Sequence, residues 1–260
     1  MAEAWPNGVR WFCRRNPTLG LFMHSPSFNT IPYRDRAAAG RWLAKELQTL
    51  RSAEDLVVLG IPRGGLIVAA EVARLLRAPL DVFVVRKIRI GGEEPHQIGA
   101  MASGGVCVLN QEVLQTTEAE ALRIAEAIAE MRDLVLEEEN RFRQSRPATP
   151  LEDRNVVLVD DGAATGGSLR AAIAALRSLS PASITVALPV ASPEASKQLS
   201  DEAEDLVCPF VPDPFYSIGL AYERFPRVSE ELASNSLESV RQGAYLNSPY
   251  TKSPYSDGQR

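Results

Sequence analysis

Short unbroken apolar runs alternate with amphipathic stretches along most of this chain. That alternation predicts an α/β fold: a parallel sheet flanked by helices. Two further observations support it. The runs lack the polar alternation of a half-exposed strand, as expected when both faces are buried. The glycine-bearing polar segments stand directly after the runs, and open α/β sheets bind ligands at the carboxyl ends of their strands.

In order, residues 35–50 have an acidic start and apolar residues at helical spacing (Ala38, Trp42, Leu47, Leu50), so they predict a helix. Residues 56–61 predict a first buried strand, punctuated by Pro62-Arg63-Gly64-Gly65. Residues 66–77 return to helix, and 81–85 form a second strand ended by Arg86-Lys87. Residues 88–97, with two Gly, one Pro and two Glu, read as a mobile loop. Residues 98–109 read as a small hairpin around Gly104-Gly105. Residues 117–142 read as a long charged helix whose apolar side carries Leu122, Ala125, Ile128, Ala129 and Val135. A third strand over 156–159, a helix over 168–179, a strand over 184–190, a helix over 193–203 and a last strand over 206–208 complete the pattern.

The chain has 260 residues, 45% hydrophobic and 23% charged, enough for one domain with a full core. Residues 1–30 are Arg-bearing and acid-poor; they read as an N-terminal extension, either a transit peptide or an over-extended start ahead of Met23. The domain spans 31–240. Residues 241–260, rich in Ser, Pro, Tyr and Asn, read as a loosely docked tail. A net charge of −5 argues against sequence-nonspecific nucleic-acid binding. No apolar run is long enough to span a membrane. Cys13, Cys107 and Cys208 form no CxxC pair and suit a reducing, cytoplasmic compartment.

The most informative segment is 156–168, VVLVDDGAATGGS. A buried strand delivers Asp160 and Asp161 to its mouth. Gly162, Ala163, Ala164, Thr165, Gly166, Gly167 and Ser168 then lead directly into a helix. Free backbone N–H groups, hydroxyls and a helix N-terminus suit a phosphate. Paired carboxylates suit the vicinal hydroxyls of a ribose, directly or through Mg²⁺. The plain alternative is a tight strand-to-helix turn with acidic capping.

This segment resembles the phosphoribosyl pyrophosphate (PRPP) motif of type I phosphoribosyltransferases. The resemblance covers most of residues 30–228 and is nearest to stand-alone members of undefined acceptor, which share Arg34-Asp35-Arg36, GIPRGG, the Arg-Lys-Ile segment and the Ser-Gly-Gly hairpin. It implies a Rossmann-like parallel sheet with a small hood, and 5-phosphoribosyl transfer to a nitrogen nucleophile, probed first with nucleobases, with release of pyrophosphate. Asp160 and Asp161 would hold the ribose hydroxyls and Mg²⁺, and residues 162–168 the 5-phosphate. Arg63, Gly64, Gly65, Arg86 and Lys87 would bind the pyrophosphate, with Arg63 and Lys87 acting on the leaving group. Phe215, in a Pro-Asp-x-Phe pattern, would stack on the base. Family members are usually homodimers.

Two departures matter. Glu93 and Glu94 are displaced from the family's acid position, and His96 appears beside them. Ala164 replaces the Asp that precedes the motif's Thr in hypoxanthine-guanine enzymes, as it does in adenine and orotate enzymes, which implies that 6-oxopurines are poor acceptors. A noncatalytic PRPP- or nucleotide-binding regulator is the alternative function. A third reading is an enzyme that uses the same pocket to hydrolyse or phosphorolyse a nucleotide.

Overall fold

The computed structural model describes residues 33–246, apart from 54, 92–95, 117–120 and 145. The N-terminal extension, Glu93 and Glu94 therefore lie outside the described residues. The elements are α1 (Arg36–Glu46), β1 (Leu56–Gly60), α2 (Gly64–Leu76), β2 (Leu80–Val82), β3 (Val85–Ile90), β4 (His96–Ala102), β5 (Val106–Leu109), α3 (Gln111–Thr116), α4 (Ala121–Arg143), β6 (Asn155–Val159), α5 (Gly167–Arg177), β7 (Ser183–Ala187), α6 (Pro193–Glu202), β8 (Asp205–Val207) and α7 (Glu230–Leu246).

The central sheet is parallel, in the order β2-β1-β6-β7-β8. Its strands are apolar on both sides because both sides are covered. Val58, Val157 and Val159 pack with α1, α2 and α7, whereas Val57, Leu59, Val156 and Leu158 pack with α5 and α6. Connections run outward in opposite directions from the β1–β6 pair, so the topological switch point lies between those strands. Asp35 caps α1 by accepting from the Ala38 N–H at 2.8 Å, which holds its carboxyl below the usual range.

Four expectations change. Residues 88–97 are not one loop: Ile88 and Ile90 are buried in β3, His96 and Gln97 begin β4, and 92–95 lie outside the described residues. The period-2 signal of Ile88 and Ile90 was hidden by the flanking Gly, Pro and Glu residues. The expected 98–109 hairpin is present as β4 and β5, and β3 joins it in a separate antiparallel sheet. The exposed face of α4 carries Leu122, Ala125 and Ala129; its packed face runs through Ile124, Ile128, Met131, Val135 and Phe142. Finally, the boundary expected at 240/241 falls inside α7, where Arg241 donates to buried Asp81 at 2.9 Å.

Candidate active site

Two glycine-bearing turns leave the switch point side by side. After β1, Gly64 and Gly65 open α2. A Cβ on Gly65 would lie 2.8 Å from the Asp160 Cα, and one on Gly64 would fall 1.9 Å from the Asp161 carboxylate. Only glycine lets the first turn of α2 approach the end of β6 this closely. The N–H groups of Gly64 and Gly65 have no partner among the described residues, and the Arg63 side chain is exposed and unpaired there. The Pro62–Arg63 peptide is cis.

After β6, the second turn is stitched to the end of β7. The Ala163 N–H donates to the Val190 carbonyl at 3.0 Å, and the Ser192 hydroxyl donates to the Ala164 carbonyl at 2.7 Å. Ser192 also caps α6 by accepting from the Ala195 N–H. Gly166, at φ 69°, occupies the left-handed region that favours glycine and starts α5. The backbone N–H groups of Ala164, Thr165, Gly166 and Gly167 make no backbone hydrogen bond among the described residues. Four donors at a helix N-terminus form an anion cradle.

The cations after β2 separate. They lie within β3, so the pleat sends Arg86 and Lys87 to opposite faces. Arg86 turns towards α4 and pairs with Glu138 at 2.6 Å. Lys87 turns towards the second cradle: its Nζ would be 3.5 Å from a Cβ on Gly167, and it has no ion-pair partner among the described residues. Arg86 is therefore already engaged, and Lys87 stands beside the cradle with its charge free.

The carboxylates also differ. Asp160 accepts from the Asp161 N–H at 2.8 Å. Burial, and then the neighbouring Asp161 charge, push its pKa well above the carboxylate range. Asp161 is clamped. Its Oδ2 accepts from Arg36 Nε at 2.7 Å, and its main-chain carbonyl accepts from the Tyr222 hydroxyl at 2.6 Å. Both carboxylates stand at the mouth of β6, and α1 brings a guanidinium against Asp161. Arg36 was visible in the sequence: a cation in a helix's first turn opposes the helix dipole and signals a partner elsewhere. Tyr222 and Ser192 carried no such signal. Among the described residues, no group of three or more His, Cys, Asp or Glu could hold a metal.

The hood is the segment that follows β8. Phe210 bridges to Val190 and Tyr222 bridges to Tyr33, closing an aromatic cluster over the carboxyl edge. Phe215 packs half-buried in this cluster. His96 is exposed at the start of β4.

The phosphoribosyl transferase domain family matches residues 34–215. The chain belongs to that family. Two Mycobacterium tuberculosis proteins, from strains CDC 1551 and H37Rv and provisionally named phosphoribosyl transferases, are each 37% identical over 198 residues, 76% of this chain and 44% of theirs. The chain thus spans less than half the length of these curated relatives. The crystal structure of TT1426 from Thermus thermophilus matches with a TM-score of 0.71 and 41% identity, covering 80% of this chain and 98% of that one. The fold is the α/β fold of type I phosphoribosyltransferases. No described helix is long and apolar enough to cross a membrane.

Proposed function

We propose that the chain transfers a 5-phosphoribosyl group from PRPP to a nitrogen nucleophile, a nucleobase in the first instance. The observation that carries this reading is the convergence, at one switch point, of two backbone N–H cradles with a carboxylate pair between them. Residues 162–168 take the 5-phosphate, Asp160 and Asp161 the ribose hydroxyls, and Arg63, Gly64 and Gly65 the pyrophosphate.

The donor set suits Mg²⁺: one or two carboxylates, with the remaining ligands supplied by substrate oxygens and water. Asp160 and Asp161 would hold it together, since Arg36 engages one oxygen of Asp161 and burial favours the protonated form of Asp160. When bound, the ion would neutralise charge on the departing pyrophosphate. The chain's own part is positioning and electrostatics. Fission of the ribose C1–O bond leaves positive charge on the ribosyl centre and negative charge on pyrophosphate. Arg63 and the N-terminus of α2 meet that negative charge, and Lys87, beside the second cradle, faces the 5-phosphate. Phe215 offers a ring face for the acceptor base. The same reading includes a cytoplasmic homodimer, and sedimentation measures its association state.

The test is PRPP- and Mg²⁺-dependent pyrophosphate release across a panel of nucleobases. Release with at least one base is expected. PRPP binding without release selects the regulatory alternative, and absence of binding overturns both readings.

A further inference from the structure

Three contacts fix the guanidinium of Arg36. Its Nε donates to Asp161 at 2.7 Å, its Nη1 donates to the Pro226 carbonyl at 2.8 Å, and its face lies 3.7 Å from the centroid of the Phe225 ring. The side chain is 9% exposed, so the charge is held away from water. A guanidinium pinned at two edges and one face cannot swing, and it fixes the rotamer of the carboxylate it grips. The grip uses only one oxygen. Arg36 holds Oδ2, and the Asp160 carboxyl stands against the Asp161 side chain, so the guanidinium sets how the carboxylate pair is presented at the mouth of the sheet.

We propose that Arg36 is a positioning residue for ribose recognition, fixing the Asp161 carboxylate in the orientation that meets a ribose hydroxyl. The inference rests on the reading of Asp161 as a ribose acceptor. It also joins the base side of the site to the ribose side, because Tyr222, Phe225 and Pro226 all belong to the hood segment. A change in the hood reaches the ribose carboxylate through Arg36 and through the Tyr222 hydroxyl.

The consequence is selective. Pyrophosphate sits on Gly64, Gly65 and Arg63 and makes no use of Asp161, whereas PRPP requires both ends. Calorimetry with PRPP and with inorganic pyrophosphate, each with Mg²⁺, tests this on wild type, Arg36→Gln and Arg36→Lys. In Arg36→Gln, PRPP affinity should fall about tenfold or more, the range for a charged hydrogen bond, while pyrophosphate affinity stays within about threefold. Arg36→Lys should recover part of the PRPP loss. Equal losses for both ligands, or no loss for either, would overturn the inference and leave the proposed function standing. A wild-type protein that binds neither ligand overturns the proposed function, and this inference with it. Should Arg36→Gln not fold, Phe225→Leu keeps the ion pair, removes the stacking face and carries the same test. A smaller selective loss of PRPP affinity is expected there, and a non-selective or absent loss overturns the inference.

Discussion

Two of the aspartates that pair with arginines, Asp81 and Asp161, have side chains largely withdrawn from water, and they are satisfied very differently. Asp81, on β2, is 1% exposed and saturated. It accepts from Arg143, from Arg241 at 2.9 Å, from the Thr149 N–H at 2.9 Å and from its neighbour's N–H at 2.8 Å. Arg143 in turn pairs with Glu139 and donates to the Val82 carbonyl. Asp161 has one arginine, on one oxygen, at the mouth of the sheet. The first cluster ties α4 and α7 to the edge of the sheet and has no capacity left for a ligand. The second retains capacity where the two cradles meet. Burial and charge alone do not separate these two acids; the number of donors each already holds does.

The largest effect should come from breaking the saturated cluster. Asp81→Asn takes the counter-charge from partly buried Arg241 and one of two carboxylates from buried Arg143, and denaturant unfolding should show a loss of about 3 kcal/mol. PRPP affinity of the folded fraction should be unchanged. If that affinity falls instead, the two clusters are coupled.

Asp161→Asn should lose about 1.5–3 kcal/mol of PRPP affinity, the range for charged hydrogen bonds, measured by calorimetry. It should also cost stability, because Arg36 is left buried without its counter-charge. A strand-end carboxylate at a cleft is expected from sequence to matter little to the fold; the clamp reverses that expectation, and thermal unfolding of the variant checks it.

Asp160→Asn should act in the opposite sense on stability. The folded state holds the Asp160 proton more tightly than the unfolded chain does. Ionising it therefore destabilises the fold as pH rises from the ordinary carboxylate range through its raised value. The variant avoids that cost and should unfold at higher denaturant than wild type at pH 8. The difference should shrink as pH falls towards the ordinary range. Equal midpoints at pH 8 would show that Asp160 is not burdened by burial.

The smallest effect concerns Arg86. Arg86 is half exposed although Glu138 is buried, so Arg86→Gln should cost about 1 kcal/mol of stability and leave PRPP affinity alone. Lys87→Gln should lower PRPP affinity, since its Nζ stands beside the second cradle. Comparable losses in both variants would contradict the separation made by the pleat.

The sequence made the central sheet and both cradles legible, because a buried parallel strand is an apolar run and each cradle follows one directly. Gly64, Gly65 and the loop after Asp161 are read from local chemistry alone. The sequence did not show how Asp161 is held. Arg36 is 125 residues away and Tyr222 is 61 away, and no local spacing encodes such contacts. The division of Arg86 from Lys87 was missed for another reason. Two adjacent cations look like one feature until the segment is known to be a strand, and Gly91 and Pro95 masked the alternation that says so.

The position of β6 between β1 and β7 bears on the order of assembly. Neither cradle has its neighbour until β6 pairs with a strand formed about a hundred residues earlier. Arg36 gains its last contact only from Pro226, 190 residues further along the chain. Closing so long a loop adds little to the equilibrium cost, since each doubling of length adds about 0.6 kcal/mol. Its effect is on time, because non-local contacts form late. During refolding, helical signal from α2 and α4 should return before PRPP binding does. A nascent chain that has not yet extruded residues 222–226 would have both N–H cradles, but Asp161 would lack the Tyr222 hydroxyl and Arg36 would lack Phe225 and Pro226.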